Sequence, residues 1–141
     1  NIHSHASECA TPAIAQQEQA ICRIHKHEKG VTDVSVGMHS IAIYPIHYVD
    51  AEQQHIIFAT KLLSQQAPKS IQVWTGDINT ERTSSSAEII SLNGEELQLI
   101  SVNLDESFNA ESDHLCLRFE NESGSYTAAQ IQLRNHSHLA S

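Results

Sequence analysis

The sequence predicts a mainly β protein: an antiparallel two-layer sandwich of about seven to eight strands, preceded by one N-terminal α-helix. Three observations carry this expectation. From Val31 onward, short runs rich in Val, Ile, Leu and aromatics recur every 8 to 15 positions between turn residues. No segment of helical period separates them. Upstream, residues 12 to 28 carry the punctuation of a helix. Short strands at this spacing, without crossover helices, indicate a sandwich or barrel rather than a doubly wound sheet.

Taken in order, residues 1 to 8 are small and polar and read as an arm. In the helical segment Thr11 suits the N-cap, Pro12 the first turn, Glu18 the early part, Lys26 and Lys29 the late part, and Gly30 the C-terminal stop. Ile14, Ile21 and Ile24, with Cys22 beside them, form one apolar stripe at helical spacing. Strands are expected over 31–36, 38–48, 54–64, 70–75, 87–92, 95–104, 114–120 and 126–134.

Asn93-Gly94 has the chemistry of a two-residue type I′ turn, which would place Ile90 opposite Leu97 in a hairpin. Residues 76–86 form the longest polar stretch and read as a surface loop. Strand 114–120 places Leu115, Leu117 and Phe119 on one face and His114, Cys116 and Arg118 on the other. Trp74, the only tryptophan, reads as a core anchor. In strand number and spacing, residues 31 to 134 resemble a small immunoglobulin-like sandwich of the kind found in secreted and periplasmic modules. The expected organisation is an arm and helix over 1–30 packed on a sandwich over 31–141, one globular unit.

With 141 residues the chain has the size of one domain. Its 40% hydrophobic content is too high for a disordered chain. Apolar stretches such as Ile56-Ile57-Phe58-Ala59 fall far short of the ~20 residues of a membrane-spanning helix, so no integral membrane segment is expected. Seventeen acidic against 8 basic side chains give a net charge of −9. A nucleic-acid partner requires a concentrated positive surface and is disfavoured.

Cys9, Cys22 and Cys116 are the three cysteines. A Cys9–Cys22 bridge would close a short N-terminal loop and contribute up to about 3 kcal/mol, leaving one thiol. The early cysteine pair, the few lysines and the absence of an initial Met agree with an exported protein, periplasmic or secreted. Asn121 and Asn135 satisfy the glycosylation pattern, which matters only in a eukaryotic secretory setting.

Histidine is the compositional outlier, its 10 copies outnumbering Lys and Arg together. His3/His5, His25/His27 and His136/His138 are His-x-His pairs. In an extended segment such pairs point the same way and can share an ion; in a helix they diverge. His3 also stands third from the amine of Asn1, the spacing at which a free amine and two amides complete a square-planar copper(II) or nickel(II) site. Cys22 and His25, three apart, would share a helical face as a fragment of a zinc or copper site. A three-residue loop over 50–52 would pair Val49 with Gln53 and set His47 directly opposite His55, close enough for one ion.

Nucleotide-binding, hydrolase and metalloprotease signatures are absent from the sequence. Asp33, His39 and Ser40 could be assembled into a triad only by selection from many Ser and His. The chain is therefore read as a small exported non-enzymatic module that binds copper, nickel or zinc weakly through His3, His5, His47 and His55, with Cys22 and His25 as a further fragment. The alternative is a protein–protein interaction or accessory domain of a secreted or periplasmic assembly, with incidental histidines.

Overall fold

The computed structural model describes residues 8–10, 22–49, 54–120, 124, 126–133 and 137–138. Two sheets face each other across one hydrophobic core. In the first, β1 (Glu8–Ala10) pairs with β12 (Tyr126–Gln132), then come β11 (His114–Glu120) and β7 (Ser70–Asp77). Along the far edge of β7 lie two short strands in succession, β8 (Arg82–Thr83) and β9 (Glu88–Ile90). The second sheet runs from β2 (Cys22–Lys26) through β3 (Thr32–Val36) and β4 (His39–Ile43) to β6 (His55–Leu62). β5 (Ile46–Tyr48) continues β4 along the same edge of β6, and β10 (Gln98–Asn103) pairs with the other edge. β13 (Ser137–His138) joins β5 in the one parallel pairing among the described residues.

The strands follow from period-two patterning. β6 buries Ile56, Phe58, Thr60 and Leu62 while His55, Ile57, Ala59 and Lys61 point to the other face. Across the core, β7 buries Ile71, Val73 and Thr75, and β11 adds Leu115, Leu117 and Phe119. Pro45 accounts for the break between β4 and β5, because it has no N–H for a ladder. Pairing persists up to the proline, with the Tyr44 N–H donating to the Ala59 carbonyl at 2.9 Å, and resumes beyond it where His47 pairs with Ile57.

Cys9 and Cys22 stand at disulfide distance, with Cα atoms 6.0 Å apart. Because β1 is the edge of one sheet and β2 the edge of the other, the pair links the two layers on their open side. A helix over 12–28 is not what residues 22 to 28 form. Residues 22–26 are β2, paired with β3 through Ile24 opposite Val34, and residues 27–31 turn into the next strand. Gly30, with φ of 86°, serves that turn and not a helix stop. The part of the expected helix before Cys22 lies outside the described residues. Among the described residues no helix is long and apolar enough to cross a membrane.

The Asn93-Gly94 segment also departs from expectation. Ile90 pairs with Ile71 in the first sheet, whereas Gln98 pairs with Thr60 in the second, so the turn carries the chain between layers instead of closing a hairpin. Only Gly94 has positive φ, at 70°, where a type I′ turn needs two such residues. Ile90 and Leu92 before the turn and Ile100 and Val102 after it are all buried, so both flanks contribute apolar surface to the core from opposite layers. Trp74 lies on the outer face of its sheet, opposite Cys116 in register and half-buried, outside the core cluster.

Candidate functional site

His47 and His55 both leave the outer face of the second sheet, as expected, but they are not opposite each other. His47 pairs with Ile57, and the Val49 N–H donates to the His55 carbonyl at 3.1 Å. The register is displaced by two residues because the connection closes at His55 and not at Gln53. Cys22 and His25 are not brought together. On a strand they take opposite faces, Cys22 toward the core and half-buried, His25 exposed, and the Cys22 sulfur is engaged with Cys9. His3, His5 and His136 lie outside the described residues. His138 is placed by its main-chain pairing alone, in register with His47.

The β2 strand instead brings His25 near His27, with ring centroids 4.6 Å apart and the rings perpendicular. His27 Nε2 lies 2.7 Å from Asp33 Oδ2. Among the described residues no group of three or more His, Cys, Asp or Glu side chains is arranged to hold a metal ion. The paper triad is dispersed as well. His39 Nδ1 lies 2.9 Å from the Gln66 carbonyl, Ser40 shares its hydroxyl with Ser35 at 3.0 Å, and Asp33 faces His27.

A buried polar network lies where β8 meets the loop before β11. Asp113 accepts the Arg82 guanidinium, the Ser84 hydroxyl at 2.7 Å and the Asn109 N–H at 3.0 Å, and Ser84 is in turn 2.8 Å from the Thr75 hydroxyl. Burial opposes the charge on Asp113, yet these hydrogen bonds outweigh it and hold the carboxyl below the usual range. Nearby Cys116 is fully buried and its thiol donates to the His114 carbonyl at 3.8 Å. Burial pushes that thiol up, reinforced by Asp77 and Asp113, so it is protonated and unreactive. His114 is buried with neither ring nitrogen hydrogen-bonded.

The surface least explained by stability is the edge formed by β10. Asn103 turns away from β6: Ser86 N–H donates to its carbonyl at 2.9 Å. Leu104 turns toward β6, donating to Gln54 at 2.7 Å. Antiparallel pairing alternates these directions, so the N–H and C=O of Leu99 and Ser101 also point away from β6. Among the described residues no strand pairs with that edge over 98–102. Leu97 and Leu99 are exposed beside it, at 59% and 70%, and Ile89 on the neighbouring edge strand β9 is 72% exposed.

Beyond β10 the chain shapes a cleft of about 570 Å³ lined by His55, Asn103, Asp105, Glu106 and Phe108, together with Gln54 and Leu104. Phe108 packs edge-on against the buried Tyr48, with centroids 6.2 Å apart. Asp105 is fixed by accepting the Ser107 N–H and hydroxyl at 2.8 and 2.5 Å. The available sequence signal for this surface was the absence of any Lys or Arg from Thr83 to Leu117, combined with alternating leucines at 97 and 99. No protein-family model matches the chain, and no curated protein matches it significantly.

Proposed function

We propose that the chain is a non-enzymatic, immunoglobulin-like β-sandwich module of an exported assembly, making protein contacts through the β9–β10 side. The observation that carries this reading is the β10 edge, unpaired among the described residues, with exposed Leu97 and Leu99 beside it. Natural sheet edges are commonly guarded by charged residues, proline or bulges, because a bare edge recruits another strand. The opposite edge of the same sheet, β2, carries Arg23 and Lys26; β10 carries no charge at all. Two antiparallel sheets over one core support the immunoglobulin-like placement, and the Cys9–Cys22 pair supports an oxidising compartment.

In-cell photocrosslinking, with a photoreactive residue at Leu99, Met38 or Arg23 of the full chain, tests the reading. A defined adduct from Leu99 and none from Arg23 is expected. Absence of adducts from all three positions removes the interaction reading; adducts confined to Met38 or Arg23 keep it but relocate the surface.

Weak binding of copper, nickel or zinc is the second reading, favoured by the juxtaposed rings of His25 and His27. Two imidazoles suit all three ions, with copper(II) tightest. Calorimetric titration of tag-free protein is expected to show heat that is lost in a His25→Ala/His27→Ala variant. Equal heats in the two proteins refute this site.

A further inference from the structure

We infer that the β10 edge takes a cationic, extended peptide segment, which adds as a strand and delivers a Lys or Arg side chain into the adjoining acidic cleft. The inference rests on the interaction reading and names its partner. The main-chain N–H and C=O of Leu99 and Ser101 point outward from a strand that, among the described residues, has no neighbour on that side. Such groups are matched in register by another extended main chain. Leu99 shares the outer face with Ser101 and, across β6, with Ala59 and Ile57, so the added strand meets an apolar surface at its centre.

Charge selects the segment. Between Thr83 and Leu117 the chain carries seven carboxylates and no Lys or Arg. Asp113 is neutralised by Arg82, whereas Glu95, Glu96, Asp105 and Glu106 are exposed at the two ends of β10. Lys61 flanks the Leu97 end of the ladder, away from the cleft. The cleft begins at Asn103, two residues beyond Ser101, or about 7 Å along the strand. A Lys or Arg side chain spans that distance with its stem along Leu104 and Phe108 and its charge at Asp105 and Glu106. A second copy of this chain is a poor occupant, because it brings the same carboxylates and a net charge of −9 to the contact.

The test uses the full chain and a blocked nine-residue peptide of alternating valine and lysine, with two controls: glutamate in place of lysine, and proline at the central position. Amide NMR shifts locate binding and fluorescence anisotropy measures affinity. Shifts centred on Leu99 and Ser101 are expected, with binding at least ten-fold weaker for each control peptide. Ser101→Pro removes an outward N–H without breaking the β6 ladder and is expected to weaken binding at least ten-fold. Leu99→Lys, exposed and therefore harmless to the fold, is expected to abolish it. Glu106→Gln is expected to weaken the lysine peptide about three-fold and to flatten its salt dependence.

Equal binding of the glutamate peptide, shifts confined to another surface, or no response to any peptide would each overturn the assignment. So would dimerisation in ultracentrifugation that Ser101→Pro abolishes, since the occupant would then be a second copy. An in-cell adduct at Leu99 without any peptide response would leave the interaction module standing and remove only the cationic strand.

Discussion

Replacing Cys9 and Cys22 together by alanine should cost the protein about 3 kcal/mol, nearly all of it through the unfolded chain. The two cysteines are 13 residues apart. In the chain-entropy account, closing a loop of that length removes on the order of 10 cal/mol/K from the denatured ensemble, or about 3 kcal/mol at 298 K. Packing adds little, since both side chains are only partly buried at the margin of the core. Urea unfolding followed by circular dichroism is the assay. With an m-value of about 1.5 kcal/mol/M the midpoint should fall by about 2 M. Oxidised protein, protein with the bond reduced, and Cys9→Ala/Cys22→Ala form the comparison. The last two should agree within about 0.5 kcal/mol, because both release the same loop. A loss below about 1 kcal/mol, or a reduced protein markedly less stable than the alanine variant, would refute the loop-entropy reasoning. The bond also has a defined place in the architecture, since it joins the edge strands of opposing sheets. Its loss should therefore raise amide exchange in β2 before it affects β7 or β11.

Three further outcomes follow from other parts of the fold. Cys116, buried and protonated, should resist iodoacetamide in the native protein at pH 8 and label at the rate of unfolding when denaturant is added, as mass spectrometry would show; fast native labelling would contradict its burial. Asp113 has a folded pKa below its unfolded value, so its contribution is present above the unfolded carboxylate range and disappears as pH falls through the folded pKa. Asp113→Asn should cost about 1.5 kcal/mol at pH 7 and less at pH 2, measured by urea unfolding, and an undiminished difference at low pH would count against the Arg82 pairing. Gly76→Ala should destabilise by more than about 3 kcal/mol in the same assay, since its φ is 145° and an added Cβ would lie 1.9 Å from the Arg82 carbonyl oxygen; a change below about 1 kcal/mol would show that β8 yields readily.

The sequence pattern located most strands downstream of Val31 because their burial alternates residue by residue, as in Thr32, Val34 and Val36 of β3. The reading of 22–28 as helix failed for a definable reason. Ile21 and Ile24 fit a helical stripe, but Cys22 and Ile24 inward with Arg23 and His25 outward fit a strand equally well, and pairing with β3 decided between them. Local Asn-Gly chemistry likewise yielded to burial of Ile90 and Ile100 in opposite layers. For the β5–β6 pair, faces were legible and register was not. A shift of two residues keeps Ile46, Ile56 and Phe58 in the core and His47 and His55 outside, so the apolar pattern is blind to it. That blindness matters most for the histidines, since a two-residue slip separates rings that a metal ion would need side by side. The Cys9–Cys22 pairing was legible because few cysteines leave few alternatives.

The same alternation explains why the candidate surface was hard to see. A strand's inward residues are dictated by the core and stand out in a sequence, but its free edge is a property of what does not pair with it. In β10, Ile100 and Val102 are buried and identify the strand, while Leu99 and Ser101 identify nothing until the neighbours are placed. β9 does not zip onto β10 because β9 belongs to the other sheet, and this one choice opens the edge. Had the Asn93-Gly94 turn closed a hairpin, β9 would have capped β10 and left Leu97 and Leu99 as ordinary exposed side chains. Routing the chain between layers therefore both adds Ile90 and Leu92 to the core and leaves the outer edge of β10 without a partner among the described residues, beside a cluster of carboxylates. Fold and candidate function thus trace to the same seven-residue connection over 91–97.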